Sequence, residues 1–547
     1  MVRPPILSLP EELVLEVMKD VDRPLKLSAV CSSWRRSALR YPPLWTTIRV
    51  HDLNVFTAVP HAQTFAARAM SLPLKVHRTG IDNDADRIAL DIPLRVLDGL
   101  LFALFKRFIA FEYTSFVPDG RFTRFVVALF SYPAPILRSF HLHDARKEIV
   151  LPKIVPMLDL GTNWPMLRDF RLTGVCMPLH RLHLANLESL YIWIPDECHE
   201  QTSHCQLHPD FAHHVIPIVR ASPKLRELTV AYEIGMEGGS DALRPADCVR
   251  IDEFCKATLR QLHLYGTPVI YPTSSNTLRS PPQLRNLTSL SLLGDITCPG
   301  HGRPVLSAVA SFLWVLTGAP NLEDLDINEW TEPIYVEDPA ALPKVHLGRL
   351  TSVLFRDCTP EWCQYIVACL VAPVLRSLIL EVLYHNAFND RRCALFTPTD
   401  WKPWAFPSVQ SLQIEVIVIA LDFNPGPASS FELEQLLRGG VWSNLEELTI
   451  RGHGWLCENA LEVVIDALCD RNVAPRLRVL RIKRCSFIGG NGYNPPPPKP
   501  GRVYRSDVDA AMRLLAMRRD SSTPNIPRLS IEFGRCQHCD WPESAPS

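Results

Sequence analysis

No apolar run in this chain is long enough to cross a bilayer. The best stretch, Val96 to Phe105, contains Asp98 and ends at Lys106-Arg107. No apolar segment follows the basic start Met1-Val2-Arg3-Pro4-Pro5, so no secretory signal is expected. Net charge is nearly absent: 57 basic side chains face 58 acidic ones, which offers nothing to a nucleic-acid backbone or an anionic membrane. Glycine is scarce beside proline, 24 against 48, which predicts many short elements stopped at intervals rather than a few long helices. Cysteine is too thinly spread, 16 in 547 residues, for a disulfide scaffold, and we read these thiols as reduced and mostly buried. On that reading the chain is intracellular, cytoplasmic or nuclear, and the sequon Asn286-Leu287-Thr288 is discounted.

Signatures of chemistry are also missing. Gly490-x-Gly492 has Pro495 where a third glycine belongs, and no phosphate loop, nucleophile elbow or kinase motif occurs. Residues 198–214 gather Cys198, His199, His204, Cys205, His208, His213 and His214, yet no Cys-x-x-Cys pair is among them. His199 and His204 are five apart, about 500° around a helix, so they would not share a face. A polar loop is the preferred reading there, with a metal site as the alternative. Cys536-Gln-His-Cys539 is a single pair with no second pair downstream, and metal or redox use is its alternative reading. No catalytic residue, metal or cofactor is expected.

What is present begins with Ser8-Leu9-Pro10-Glu11-Glu12-Leu13-Val14-Leu15-Glu16-Val17-Met18. Pro10 suits a first helical position, and Glu11 and Glu12 complement the helix dipole. Leu13, Val14, Val17 and Met18 recur at helical spacing. Asp22 can cap a second helix with Pro24 in its first turn, and Leu27, Val30, Cys31 and Trp34 form its stripe. Pro42-Pro43 stops a third helix, and Leu44-Trp45 returns toward the bundle. Three helices in so few residues bury little surface, so an uncovered stripe is expected to meet a partner or a neighbouring domain.

These residues resemble the F-box. Leu9-Pro10-Glu11-Glu12-Leu13, then Leu27-Ser-Ala-Val30-Cys31-Ser-Ser-Trp34-Arg35, then Pro42-Pro43-Leu44-Trp45 match its elements in order over residues 5–48. A helical cap using the same residues as core is the alternative. The resemblance implies binding to a Skp-family adaptor and, through it, a cullin–RING ubiquitin ligase. Leu9, Pro10, Leu13, Val17, Val30, Cys31 and Trp34 would form or support that interface.

The rest of the chain repeats itself. The pattern apolar-x-x-apolar-x-apolar starts at Leu137, Leu167, Leu187, Leu225, Leu259, Leu287, Leu322, Leu350, Leu375, Val409, Leu445, Leu477 and Ile526, a mean period of about 32 residues. Its last two apolar positions lie two apart and so share one face of a short strand. Helices are expected at 210–220, 308–316, 362–371 and 460–468. Three buried aliphatic side chains supply roughly 5–9 kcal/mol per repeat. Ordering some thirty residues costs more, so a repeat is stable only when stacked. The fold class is therefore α/β, a curved solenoid of parallel strands with helices on the convex side.

This pattern resembles the leucine-rich repeat. The match is irregular, as in large fungal F-box families: spacing runs from 20 residues (167 to 187) to 49 (477 to 526). The Asn/Cys slot three residues after the strand is filled by Cys358 and Cys485, but by Thr267, Asp295, Trp330 and His453 elsewhere. An unrelated α/β protein with many parallel strands is the alternative.

The expected organisation is an F-box at 5–48, a linker with degenerate capping repeats at 49–130, the repeat array at 131–535 and a tail at 536–547. Within the linker, helices are read at 58–70 and 94–108 and a strand at Leu72-Leu74-Val76. Residues 271–283 and the polyproline stretch 494–500 read as loops, the second with SH3 or WW recruitment as its alternative.

Residues between the apolar strand positions face the concave surface. Tyr191 and Trp193, His263 and Tyr265, Asp324, Asp326 and Asn328, and Arg481 and Lys483 then form a target groove, aromatic first, acidic centrally, basic last. The resemblance implies a substrate-recognition subunit of a Skp–cullin–F-box ligase with an unknown protein target. The alternative is a non-catalytic interaction scaffold acting outside a ubiquitin ligase. Neither reading calls for nucleic acid or membrane as a partner.

Overall fold

The structure, a computed structural model, describes residues 10–19, 25, 29–81, 84–116, 120–144, 149–150, 160–176, 184–194, 211–232, 249–250, 254, 256–265, 269–270, 281, 283–293, 306–328, 343–358, 360–384, 407–418, 437–438, 442–453, 464–470, 472–485, 514 and 529–535. Among these the fold is mixed α/β, with sixteen strands in a large parallel sheet. Two compact units divide the chain, Met1–Asp241 and Ala242–Ser547.

The first unit holds seven of the strands: β1 (Thr47–His51), β2 (Leu74–Thr79), β3 (Phe108–Ser115), β4 (Ser139–Asp144), β5 (Asp169–Thr173), β6 (Ser189–Ile194) and β7 (Glu227–Tyr232). Each pairs in parallel with the next. The second unit holds β8 (Gln261–Tyr265), β9 (Ser289–Leu293), β10 (Asp324–Asn328), β11 (Ser352–Cys358), β12 (Ser377–Tyr384), β13 (Ser411–Val418), β14 (Glu447–His453), β15 (Val479–Cys485) and β16 (Ser530–Arg535), again paired in sequence order. Parallel neighbours need a crossover, which the intervening segments supply.

The repeat dictates the packing. Register aligns the second apolar position of each copy, so Leu262, Leu290, Leu325, Val353, Leu378, Leu412, Leu448 and Leu480 form one buried row. In the first unit the same row is aromatic at Phe111, Phe140 and Phe170, whose rings stack at 5.6 and 5.9 Å. Trp164 fills the space beside them, 4.6 Å from Phe140.

The helices are α1 (Glu11–Lys19), α2 (Ser32–Arg40), α3 (Val55–Arg68), α4 (Asp84–Leu104), α5 (Gly120–Ser131), α6 (Leu160–Asn163), α7 (Phe211–Ala221), α8 (Leu306–Thr317) and α9 (Pro360–Cys369). A further turn of helix spans 464–469. Two expectations need correction. The helix read at 94–108 begins at Asp84 and ends at Leu104, and Phe108 opens β3. Phe108-x-x-Phe111-x-Tyr113 is the repeat pattern written in aromatics. The helix read at 362–371 stops at Cys369, and Leu370–Val371 pairs with Val345–His346 instead. The β-branched Val371 and Pro373 two residues on both oppose a longer helix. Strand β1 also crosses the boundary placed at 48/49. Trp45-x-x-Ile48-x-Val50 is one more copy of the pattern, so the sheet begins inside the segment read as the terminal module.

Candidate functional site

Two surfaces carry the residues singled out from the sequence. The first is the N-terminal helix pair. Helix α1 starts where Val14 N–H donates to the Pro10 carbonyl at 3.1 Å. Cys31 caps α2, its Sγ accepting from the Trp34 N–H at 3.4 Å. The stripe read through Val30, Cys31 and Trp34 needs correction: Cys31 is extended at the cap, so Val30 precedes the start of α2 and Trp34 lies within it. Packing then separates two groups. Val14, Trp34 and Ala38 are buried, whereas Leu13, Val17 and Val30 are 51%, 45% and 55% exposed. Leu25 and Leu39 are exposed as well, Pro10 is exposed and Cys31 is half-buried. Trp34 is thus internal support rather than surface, and its Nε1 finds no acceptor among the described residues. Leu9, Asp22, Pro24 and Leu27, with most of the expected second helix, lie outside the described residues.

Trp45 ties this pair to the sheet. It is fully buried, donates Nε1–H to the Ala38 carbonyl at 2.8 Å and meets Phe65 edge-on at 5.0 Å. The Arg68 guanidinium covers the indole at 4.2 Å.

The second surface is the sheet face opposite the apolar rows. Tyr191 and Trp193 lie on it, both half-buried, in register with Arg171 and Thr173. They belong to the first unit, and the other expected target residues belong to the second. Neighbouring outward positions in the first unit are filled with charge. His77 meets Glu112 at 2.7 Å, while His141 and Arg171 meet Asp169 at 2.7 and 3.0 Å. Burial works against ionisation of Asp169, but hydrogen bonds from His141 and Arg171 outweigh it and hold the carboxyl below its ordinary range.

In the second unit, register sets His263, Ser291, Asp326, Leu354, Ile379, Gln413, Thr449 and Arg481 in one outward row. His263 and Tyr265 stand beside each other, with ring centroids 6.1 Å apart. Asp326 Oδ2 accepts from Ser291 Oγ at 2.9 Å. Burial raises the carboxyl of Asp326, and burial together with Glu323 raises that of Asp324. Strands β11 to β14 separate Asp324 and Asp326 from Arg481 and Lys483, so the acidic and basic groups are not brought together. The basic end needs correction at Arg481. Its guanidinium is held between Glu447 and Glu532, at 2.8 Å each, and offers little free charge to a target. Lys483 takes its register place between Arg451 and Gly534.

Three features escaped sequence reasoning. Leu354 and Ile379 put half-buried apolar groups on the outward row. The unbroken triplets Val353-Leu354-Phe355 and Leu378-Ile379-Leu380 were the available signal. Arg78 lies at an inward strand position, between Val50 and Tyr113 in register. It is buried and bound to Asp52 at 2.9 and 3.0 Å and to Asp98 at 2.6 Å. Finally, the residue before the leading leucine is often Asn. Asn186, Asn286, Asn321 and Asn444 each donate Nδ2–H to a carbonyl of the preceding copy, at 2.6–2.7 Å. Asn286 of the discounted sequon therefore has a structural role. In the expected Asn/Cys slot, Cys358 Sγ–H donates to the Ile327 carbonyl at 3.4 Å.

Among the described residues, no group of three or more His, Cys, Asp or Glu side chains is placed to hold a metal, and no helix is long and apolar enough to cross a membrane. Residues 198–210, Cys536 and Cys539, most of 271–283, all of 494–500, and Thr267, Asp295 and Trp330 lie outside the described residues. No protein-family model and no curated protein matches the chain.

Proposed function

We propose that this chain is the substrate-recognition subunit of a Skp–cullin–F-box ubiquitin ligase, built as an F-box followed by an irregular leucine-rich-repeat-like solenoid. The observation that carries the reading is the division of the N-terminal apolar residues. Val14 and Trp34 are enclosed, while Leu13, Val17 and Val30 stand in solvent at positions that match the F-box pattern. A helical cap serving only its own repeat array would turn those side chains inward. Large apolar side chains left exposed together in a small module mark a partner surface. The mechanism is proximity: the helices hold the adaptor, the outward sheet face holds a target, and a partner enzyme transfers ubiquitin. This chain contributes effective concentration and orientation.

The test is co-expression of the full chain with a Skp-family adaptor, beside a Leu13→Asp/Val30→Asp variant. Both positions are exposed, so the variant should fold. A stable complex with the wild type that the variant loses supports the reading. A folded wild type that captures no adaptor sinks it. Adaptor without cullin in the purified complex would favour the scaffold alternative.

A further inference from the structure

On the outward face of the second unit, β10, β11 and β12 place unlike groups side by side. Asp326, Leu354 and Ile379 are register partners, and so are Asn328, Arg356 and Glu381. Arg356 Nε donates to Glu381 Oε2 at 3.0 Å, which matches that cation locally. Asp324 and Asp326 have no basic side chain within ion-pair distance among the described residues, although Arg356 and His263 act on Asp326 from further away. Among the described residues, Asp326 Oδ1 is covered and receives no hydrogen bond. Asn328 follows on the same face by strand alternation, is 6% exposed, and its Oδ1 also lacks a donor among the described residues. Both atoms are acceptors, so the group that would complete them is a donor, and beside two carboxylates it is a cation. The terminal torsion of an Asp side chain is soft, so Oδ1 can turn outward, the incoming donor offsetting the Ser291 hydrogen bond that the turn loosens. Immediately alongside, Leu354 and Ile379 present apolar surface where the fold does not need it.

We propose that this face seats an extended polypeptide segment bearing a basic residue over Asp324 and Asp326 and an aliphatic or aromatic residue two positions away, over Leu354 and Ile379. The inference rests on the reading of the outward face as the target surface and names the class of target it takes. Strand spacing sets the motif. From the Asp326 strand to the midpoint of the Leu354 and Ile379 strands is one and a half spacings, about 7 Å. Alternate residues of an extended chain lie on one side about 6.7 Å apart. A basic-x-apolar sequence running across the strands therefore fits, and arginine suits it best because its weakly hydrated, forked donors reach two acceptors at once. Burial already pushes the Asp326 carboxyl up, and a bound cation would return it to its ordinary range.

The full chain is to be screened against immobilised, end-capped short peptides in a positional-scanning library. Enrichment of Arg-x-Leu and its relatives is expected. Asp326→Asn, which keeps the shape, should weaken those peptides about tenfold or more, the loss of a charged hydrogen bond. Its melting temperature should not fall, since the buried carboxylate is unfavourable in the free protein. Ile379→Ser, at a half-exposed position, should weaken them severalfold and serves if Asp326→Asn misfolds. Peptides selected with no basic-x-apolar preference, or a preference that Asp326→Asn and Ile379→Ser leave intact, overturn this inference and leave the target-surface reading standing. Failure to select any peptide overturns both. Neither result bears on the adaptor complex, which is measured separately.

Discussion

Arg78 shows how one residue can run against the repeat that contains it. Its row holds Leu142, Leu172, Ile192 and Val230 further along the sheet, all buried and apolar. A guanidinium is tolerated there because two carboxylates and two rings enclose it, with Tyr113 and Phe125 each 4.6 Å away. Burial works against its charge, but Asp52 foremost, then Tyr113 and Asp98, raises its pKa well above the ordinary value. Removing one partner of such a pair leaves an unmatched buried charge, which costs about 3–5 kcal/mol. Arg78→Met should therefore lower the melting temperature strongly. Adding Asp52→Asn and Asp98→Asn should recover part of the loss, because the orphaned carboxylates are then gone. Thermal melts of the three proteins decide the matter, and an unchanged Arg78→Met melt would refute the electrostatic account. Gly174 is the complementary case: its φ is +71°, and a Cβ there would meet the Asp144 carbonyl oxygen at 2.3 Å.

At the scale of the element, several strands are entered through the same short device. An Asn before the leading leucine donates to the copy behind it, as Asn321 does to the Arg285 carbonyl at 2.6 Å. Charged residues stand in the same slot at Lys224 and Arg476 and bond to Asn186 and Asn444, both at 2.7 Å. These bonds are exposed, so each contributes modestly, about 1 kcal/mol. Asn321→Ala should lower the midpoint of urea unfolding, corresponding to a loss of about 1 kcal/mol in unfolding free energy, and leave the far-ultraviolet spectrum alone. A midpoint unchanged within error would show that the backbone ladder sets the spacing without help. The leucines behind the device carry more: Leu287, Leu322 and Leu445 are wholly buried and supply the apolar burial that a single exposed bond cannot.

Over the whole molecule, the main-sheet strands of each unit pair with their sequence neighbours. Stability in such an array is a sum of local terms and nearest-neighbour contacts, so long-range cooperativity is weak. The two units also differ in what fills the first inward row, which includes the stacked Phe111, Phe140 and Phe170 in one and only aliphatics from Leu262 to Leu480 in the other. Hydrogen exchange followed through a urea titration should give separate midpoints for segments of β2–β5 and of β11–β14. A single shared midpoint would mean that the array unfolds as one block. The same modularity lets one face vary without disturbing its neighbours, since outward residues such as Leu354 and Asp326 do not form the inward rows.

Twelve of the thirteen repeats, their strand direction and their inward residues were legible from spacing alone, because period-two alternation and a leucine at a constant offset are local properties of the chain. The thirteenth, read at Ile526-Leu529-Ile531, needs correction by two residues, since Ile531 and Phe533 take the register places beside Leu480 and Ile482. The first three strands were read only in part. Trp45, Phe108 and Phe111 replace leucine there, and Arg78 interrupts the apolar row. The candidate surfaces were legible as positions but not as surfaces. Spacing put Leu13 and Val14 on one helical stripe and Val30 and Trp34 on another, yet Cys31 breaks the second stripe, and only the packed structure shows which of the four are covered. It marked Asp326 and Arg481 alike as outward, while their different surroundings depend on strands 28 to 51 residues distant. Alternation is written in adjacent residues, whereas partners across a sheet are set by register, and register exists only once the strands have stacked.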